Sequence, residues 1–193
     1  PTLRGDLPEL IAYLQQVGQV SSLLTNGLRL LEPRYIDSLL QAGLDHLMIV
    51  LDPEVEASWQ GLEAALAADI SVTAHLTITP ENQDRALQYL SRLSASGAKM
   101  VSLSINDLSL AAVLATGREQ VATLGLTLVW DLPVPYSENH PVALETSDQP
   151  TSGAGKAWLY VEPDGDVLPS QGINRVLGNI LRDSWEEIWS NRL

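Results

Sequence analysis

Two short stretches carry polar side chains at a spacing that suits chemistry. In ISVTAHLTIT, residues 70–79, His75, Thr77 and Thr79 alternate with apolar neighbours. In KMVSLSIN, residues 99–106, Ser102, Ser104 and Asn106 do the same. A period of two places such residues on one face of a strand. On neighbouring strands, the two sets would line one interior surface with an imidazole, hydroxyls and a carboxamide. Burying these groups is costly unless they bond to one another or to a ligand. Two neighbouring strands with such rows suggest a wet, functional interior in which His75 could contact a ligand. The competing reading of His75 is structural, because a lone buried histidine is more often a packing residue.

Other candidates stand at the ends of apolar runs. Thr25-Asn26-Gly27 closes one such run, and by residue type it also suits a plain turn. Asp52 closes MIVLD and can cap a helix that starts at Pro53. Asp131 follows Trp130 and is a candidate substrate contact or proton carrier, with loop solvation as the plainer reading. Glu162, Asp164 and Asp166 alternate around a turn, but they lack a calcium-binding loop and read as solvent-facing acids. His46, His75 and His140 are widely spaced and form no paired ligand motif. SGAGK, residues 152–156, lacks the strand and helix context of a phosphate loop. The chain has no cysteine, which excludes disulfides, thiolate zinc sites and a thiolate-bound iron–sulfur cluster within these residues.

The elements that would position these residues alternate. Helical spacing of apolar residues predicts helices over 6–18, 32–43, 53–69, 81–97 and 109–125, and β-rich runs predict strands over 20–27, 44–52, 70–79, 99–106 and 126–133. Asp6 is the expected cap of the first helix, with Leu7, Leu10, Ile11 and Leu14 as its apolar stripe. Five helix–strand units imply a parallel sheet with right-handed crossovers. The run opens on a helix, so a strand is expected ahead of Pro1. Periodicity alone leaves a barrel and an open doubly wound sheet both standing.

After Pro133 the pattern stops. Residues 134–156 read as a loop or linker rich in Pro, Ser, Thr and Gly. Residues 157–170 read as a β-hairpin turning at Asp164-Gly165, followed by a short helix with Trp185, Ile188 and Trp189 on one face and Asp183 or Ser184 as its cap. The domain reading is therefore 1–133, a linker over 134–156, and a C-terminal extension over 157–193.

With 193 residues, 45% of them hydrophobic, the chain can bury a real core without any Phe. A formal net charge of −13 argues against nucleic acid and against anionic membranes as partners. No apolar run reaches the ~18–20 residues of a membrane span, and a cytoplasmic location is expected.

Three landmarks now line up. PTLRGDLPELIAYLQQVG opens the chain, SSLLTNGLRL follows, and LYVEPDGDVLPSQGINRVLGNILRDSWEEIW closes it. Together they resemble the radical S-adenosylmethionine enzymes with a SPASM or shorter twitch-like extension. The resemblance covers essentially the whole chain and implies a partial parallel (β/α) barrel of that type, an α/β fold. It also implies S-adenosylmethionine as cofactor, a 4Fe–4S cluster in the full-length protein, and a peptide or small-molecule substrate. An electron donor protein would supply the reducing electron. In the family, the reduced cluster cleaves S-adenosylmethionine to a 5′-deoxyadenosyl radical that takes a hydrogen atom from substrate. The resemblance places Thr25, Asn26 and Asp52 near the cofactor, and the alternation of the polar rows makes His75, Thr77, Ser104 and Asn106 further candidate contacts.

The chain departs from the family at several points. The cluster loop and Gly-Gly-Glu would lie before Pro1, Val50 replaces a Ser, and Ser170 stands where a cysteine is usual. Ser152 marks a second such position. The isolated chain is therefore expected to be inactive, with its tail serving as a packing element. The alternative is a degenerate relative that binds a peptide or small molecule without radical chemistry. An unrelated α/β-barrel hydrolase or aldolase is disfavoured, because no strand ends in a Lys.

Overall fold

The computed structural model describes residues 1–129, 154–157, 159–162, 164–170, 173 and 175–191. The chain divides into two compact units, Pro1–His140 and Pro141–Leu193.

The first unit alternates helix and strand. Its helices are α1 (Leu7–Gln16), α2 (Tyr35–Gln41), α3 (Glu56–Leu66), α4 (Ala86–Ala95) and α5 (Ala111–Thr123). Its strands are β1 (Ser22–Thr25), β2 (His46–Leu51), β3 (Ser71–Ile78), β4 (Met100–Ile105) and β5 (Thr127–Leu128). Single turns of 3-10 helix at Leu28–Leu31, Gln83–Arg85 and Leu108–Leu110 lead into α2, α4 and α5.

All five strands are parallel and lie in sequence order, β1-β2-β3-β4-β5. This order decides what periodicity left open. Crossovers of one hand between successive neighbours put every helix on the same face of the sheet, whereas a doubly wound sheet must reverse its order somewhere. The unit is thus a singly wound α/β sheet, consistent with a partial barrel.

The core lies between sheet and helices. Leu23, Leu47, Ile49, Leu51, Val72, Ala74, Leu76 and Val101 pack with Leu7, Ile11, Leu39, Leu62, Ala65, Leu90, Leu93 and Val121. Tyr35, Trp59 and Tyr89 supply the rings, with the last two 6.4 Å apart between centroids. Helices stop where the chain turns left-handed: Gly43 and Gly97 have φ of 95° and 88°, and the next N–H reaches back to Leu39 O and Leu93 O respectively.

Two caps differ from expectation. Asp6 makes no cap bond, because its carboxylate is held by Arg4 at 2.9 and 2.7 Å. Asp52 does not cap α3, which begins three residues later than Pro53 would allow and has Val55 at its cap. Asp52 Oδ1 instead accepts from the Glu54 N–H at 3.1 Å, closing a local turn. On α1 only Leu7 and Ile11 of the expected stripe are buried; Leu10 and Leu14 are exposed.

In the second unit, β6 (Tyr160–Val161) and β7 (Asp166–Leu168) pair antiparallel around Gly165, whose φ is 92°. A strand that the sequence reading missed, β8 (Gly178–Asn179), adds to β7. Helix α6 (Trp185–Ser190) is capped by Ser184, which forms a reciprocal capping box with Glu187. Val167, Leu177 and Ile188 form this unit's core. Trp185 stacks on Trp189 at 5.5 Å but is 54% exposed, so Ile188 alone of the expected face is buried.

Among the described residues no helix is long and apolar enough to cross a membrane.

Candidate functional site

The two polar rows read from sequence are neighbours in the sheet. Residue pairing sets His75 opposite Ser102 and Thr77 opposite Ser104, with Val50 on the other side of His75. The helix-packed residues alternate with them, so the row lies on the sheet face turned away from the helices.

The side chains bond to one another. His75 is almost fully buried, with Nδ1 3.0 Å from Ser102 Oγ. Its Nε2 is 3.0 Å from Ser104 Oγ and 3.2 Å from Thr77 Oγ1. Ser104 Oγ donates to Thr77 Oγ1 at 3.1 Å. A neutral imidazole has one donor and one acceptor nitrogen, and hydroxyls serve as either. Rotation of the hydroxyls therefore accommodates both tautomers of His75. The arrangement can hold a neutral ring and pass a hydrogen bond along the row without placing a charge inside.

Towards the C-terminal end of β3, a residue that the sequence reading missed takes over. Asn82 is buried; its Oδ1 accepts from the Thr79 N–H at 2.9 Å and its Nδ2 donates to Thr77 O at 3.0 Å. This one amide fixes the backbone on both sides of Ile78. Its sequence signal was an Asn in TPEN, just where a strand gives way to a helix. The Thr79 hydroxyl, with Glu81's own backbone N–H, holds the Glu81 carboxyl below its usual value.

On β4, the Asn106 N–H donates to Ile78 O at 3.2 Å and closes the sheet past Ile105. Its side-chain Oδ1 is buried and has no hydrogen-bond partner. An orphaned acceptor of this kind is uncommon and marks a place where a donor from a ligand fits.

The remaining candidates stand at the same C-terminal edge of the parallel sheet. Thr25 lies on the helix-packed face, in register with Ile49, and its Oγ1 accepts from the Gly27 N–H at 3.2 Å. Asn26 is exposed just past β1, with Oδ1 accepting from the Leu28 N–H at 3.3 Å. Behind this turn sits Gly61 of α3, also missed from sequence; a Cβ there would lie 2.5 Å from Gly27 O. Asp52 is exposed past β2, and its N–H donates to the buried Ser58 Oγ at 3.0 Å. Asp131, His140, Ser152 and the loop over 134–153 lie outside the described residues.

The acids of the tail turn come together as well. Carboxylate oxygens of Glu162, Asp164 and Asp166 lie within 4.8 Å of one another. Protein donors already engage Asp166: Asn179 Nδ2 at 2.8 Å and the Arg182 guanidinium at 3.6 Å. Ser170 is buried in its own unit.

No family model matches the chain. It is similar to the PqqA peptide cyclase of Methylocella silvestris, 28% identical over 98% of this chain and 58% of that protein. It is also similar to the PqqA peptide cyclase of Xanthomonas campestris pv. campestris, 27% identical over 99% of this chain and 58% of that protein. A third, from Xanthomonas axonopodis pv. citri, is 26% identical over 99% of the chain and 59% of its own length. The chain thus spans less than two thirds of the relatives it matches. The similarity takes in all three sequence landmarks and supports the resemblance to the radical S-adenosylmethionine enzymes.

Proposed function

We propose that this chain is the cofactor- and substrate-binding body of a radical S-adenosylmethionine enzyme that modifies a peptide. One observation carries the reading: nearly the whole chain aligns with proteins named PqqA peptide cyclase. The polar row fits S-adenosylmethionine, because its ribose and amine groups are donors and acceptors and Asn106 Oδ1 is an acceptor without a partner. Thr77, Ser104 and Asn106, with Asn26 and Asp52 at the neighbouring strand ends, would hold the cofactor. His75 supports the hydroxyls from beneath, and Thr25 shapes the turn that presents Asn26. When bound, S-adenosylmethionine supplies the means of abstracting a hydrogen atom. The residues present do not fit a 4Fe–4S cluster, since the chain has no cysteine, so the cluster would be held by other parts of the full-length protein. A one-electron donor protein is the further partner this chemistry needs.

Ser170 and Val50, standing where the family has a Cys and a Ser, favour a second reading, a degenerate relative that binds a peptide or small molecule without radical chemistry. One experiment separates them. The full-length protein is reconstituted anaerobically with iron and sulfide, then given S-adenosylmethionine and a reductant. Formation of 5′-deoxyadenosine by the full-length protein, and none by the 193 residues alone, is expected. Binding of S-adenosylmethionine or peptide without any cleavage by the full-length protein would leave the binder. Cleavage by the 193 residues alone would overturn the claim that they are inactive.

A further inference from the structure

The row around His75 holds one hydrogen more than it can spend. A neutral imidazole brings one, and the hydroxyls of Ser102, Thr77 and Ser104 bring one each. Ser102 Oγ meets Nδ1 at 3.0 Å, and Ser104 Oγ donates to Thr77 Oγ1 at 3.1 Å. Nε2 faces two hydroxyls, Ser104 at 3.0 Å and Thr77 at 3.2 Å. A ring nitrogen has either one hydrogen or one in-plane lone pair, so Nε2 makes one well-aligned bond, not two. Among the described residues no other group takes a hydrogen from these three hydroxyls.

The ring tautomer decides where the surplus hydrogen lies. With the ring hydrogen on Nδ1, the ring donates to Ser102 and Nε2 accepts from Thr77. The Ser102 hydrogen is then unspent, on a side chain 3% exposed. With the ring hydrogen on Nε2, Ser102 donates to Nδ1 and Nε2 donates to Ser104. The unspent hydrogen is then on Thr77. These two places are unlike. Ser102 pairs with His75, ~7 Å nearer the N-terminal end of the sheet than the Thr77–Ser104 pair. A spare donor there is buried with nothing to receive it, which is costly. Thr77 stands one residue short of the end of β3, on the face that carries the unpartnered Asn106 Oδ1. A donor there is within reach of what enters at the strand ends.

We infer that Ser102 is a positioning residue: it keeps the His75 hydrogen on Nε2 and so leaves the Thr77 hydroxyl as a preset donor to an oxygen of the ligand. Ser102 acts through the ring and touches no ligand itself. Without it the Thr77 hydroxyl turns inward to Nε2, and the row offers a ligand only lone pairs. With it the interior presents a donor at Thr77 and an acceptor at Asn106. The identity of the ligand as S-adenosylmethionine rests on the cofactor reading above; the tautomer does not.

The test is nitrogen NMR of the histidine rings in the full-length protein carrying isotope-labelled histidine. The His75 signals are those lost in His75→Gln. A protonated Nε2 and a bare Nδ1 are expected. Ser102→Ala should move the hydrogen to Nδ1, because Thr77 then satisfies Nε2 and nothing donates to Nδ1. Ser102→Thr keeps the hydroxyl and should restore the Nε2 hydrogen. By equilibrium dialysis, Ser102→Ala should bind S-adenosylmethionine about tenfold more weakly, and Ser102→Thr should bind it as the unaltered protein does. A hydrogen on Nδ1, or on both nitrogens, in the unaltered protein would overturn the inference. So would a Ser102→Ala ring that keeps its hydrogen on Nε2, or measurable binding that Ser102→Ala leaves unchanged. The expected tautomer response in a protein that binds no S-adenosylmethionine would overturn the cofactor reading and support the assignment of Ser102.

Discussion

The carbonyl oxygen of Gly27 lies 2.5 Å from the place a Cβ on Gly61 would occupy. The turn after β1 is pressed onto helix α3 at backbone range, and Gly27 itself has φ of 78°. The position of Asn26 is therefore set by a contact between two main chains. Gly61→Ala should destabilise the protein by roughly 1–3 kcal/mol, because backbone cannot yield as a side chain can. Denaturant unfolding measures the loss, and an unchanged midpoint would show that the turn is loose.

The row around His75 gives a graded expectation. His75→Ala opens a cavity and strips partners from Ser102, Thr77 and Ser104, so a loss of about 2–4 kcal/mol is expected. Ser104→Ala should cost about 1 kcal/mol, since Thr77 Oγ1 remains in reach of Nε2. Equal costs for the two variants would mean the hydroxyls do not share the ring.

Asn106 should behave in the opposite sense. Its Oδ1 has no partner, so Asn106→Ala should leave stability unchanged or raise it by up to ~1 kcal/mol. If the acceptor serves the cofactor, the same change should weaken S-adenosylmethionine binding to the full-length protein roughly tenfold, about 1.4 kcal/mol. Equilibrium dialysis reads the second effect. Lost stability with unchanged binding would make Asn106 a plain structural residue.

Asn82→Ala removes both bonds that clamp the end of β3 and leaves the Thr79 N–H buried without its partner. A loss of roughly 1–3 kcal/mol is expected, with faster amide exchange at Thr79. An unaltered exchange rate there would show that the clamp is held by other contacts.

Tyr89 and Glu54 define a pH window. Burial, and then the hydrogen bond to Glu54, push the Tyr89 phenol up to about 12. The same bond, helped by Arg85, holds the Glu54 carboxyl below its usual value. The Tyr89 contribution, from a raised value, is full below about 10 and is lost as pH rises through about 12. The Glu54 contribution, from a lowered value, is present above its ordinary range and is lost as pH falls through the folded value. Absorbance titration should show a phenol ionising at about 12 that Tyr89→Phe removes, and an unchanged curve in that variant would refute it.

The alternating elements were legible because their apolar periods are strong, and all five helix–strand units formed. The polar rows were legible for the same reason: a period of two in 70–79 and 99–106 needs no tertiary information. Strand order was not, since αβ alternation fits both windings. The missed residues had weaker signals. Gly61 sits inside a helical pattern where glycine costs about 1 kcal/mol against alanine, and that cost is the sign of a packing reason. Strand β8 is two residues long and carries a Gly, too short for any period to show. Asp52 looked like a cap because Pro53 suits a first turn, but the Asx turn with Glu54 satisfied its carboxylate first. On α1, the apolar residues exceeded what the core needed, so Leu10 and Leu14 were assigned to a face that does not receive them.

The sequential strand order also sets a timetable. Each strand pairs with the next one to leave the ribosome: 24 residues separate Ser21 from Asp45, and 27 separate His75 from Ser102. Loops of that size close at modest entropic cost, so pairing need not wait for a distant segment. The sheet can accrete in the order of synthesis, one helix-backed strand at a time. The polar row on β3 and β4 then forms only when the fourth strand arrives, in the same step that brings Val101 to the apolar face beneath it.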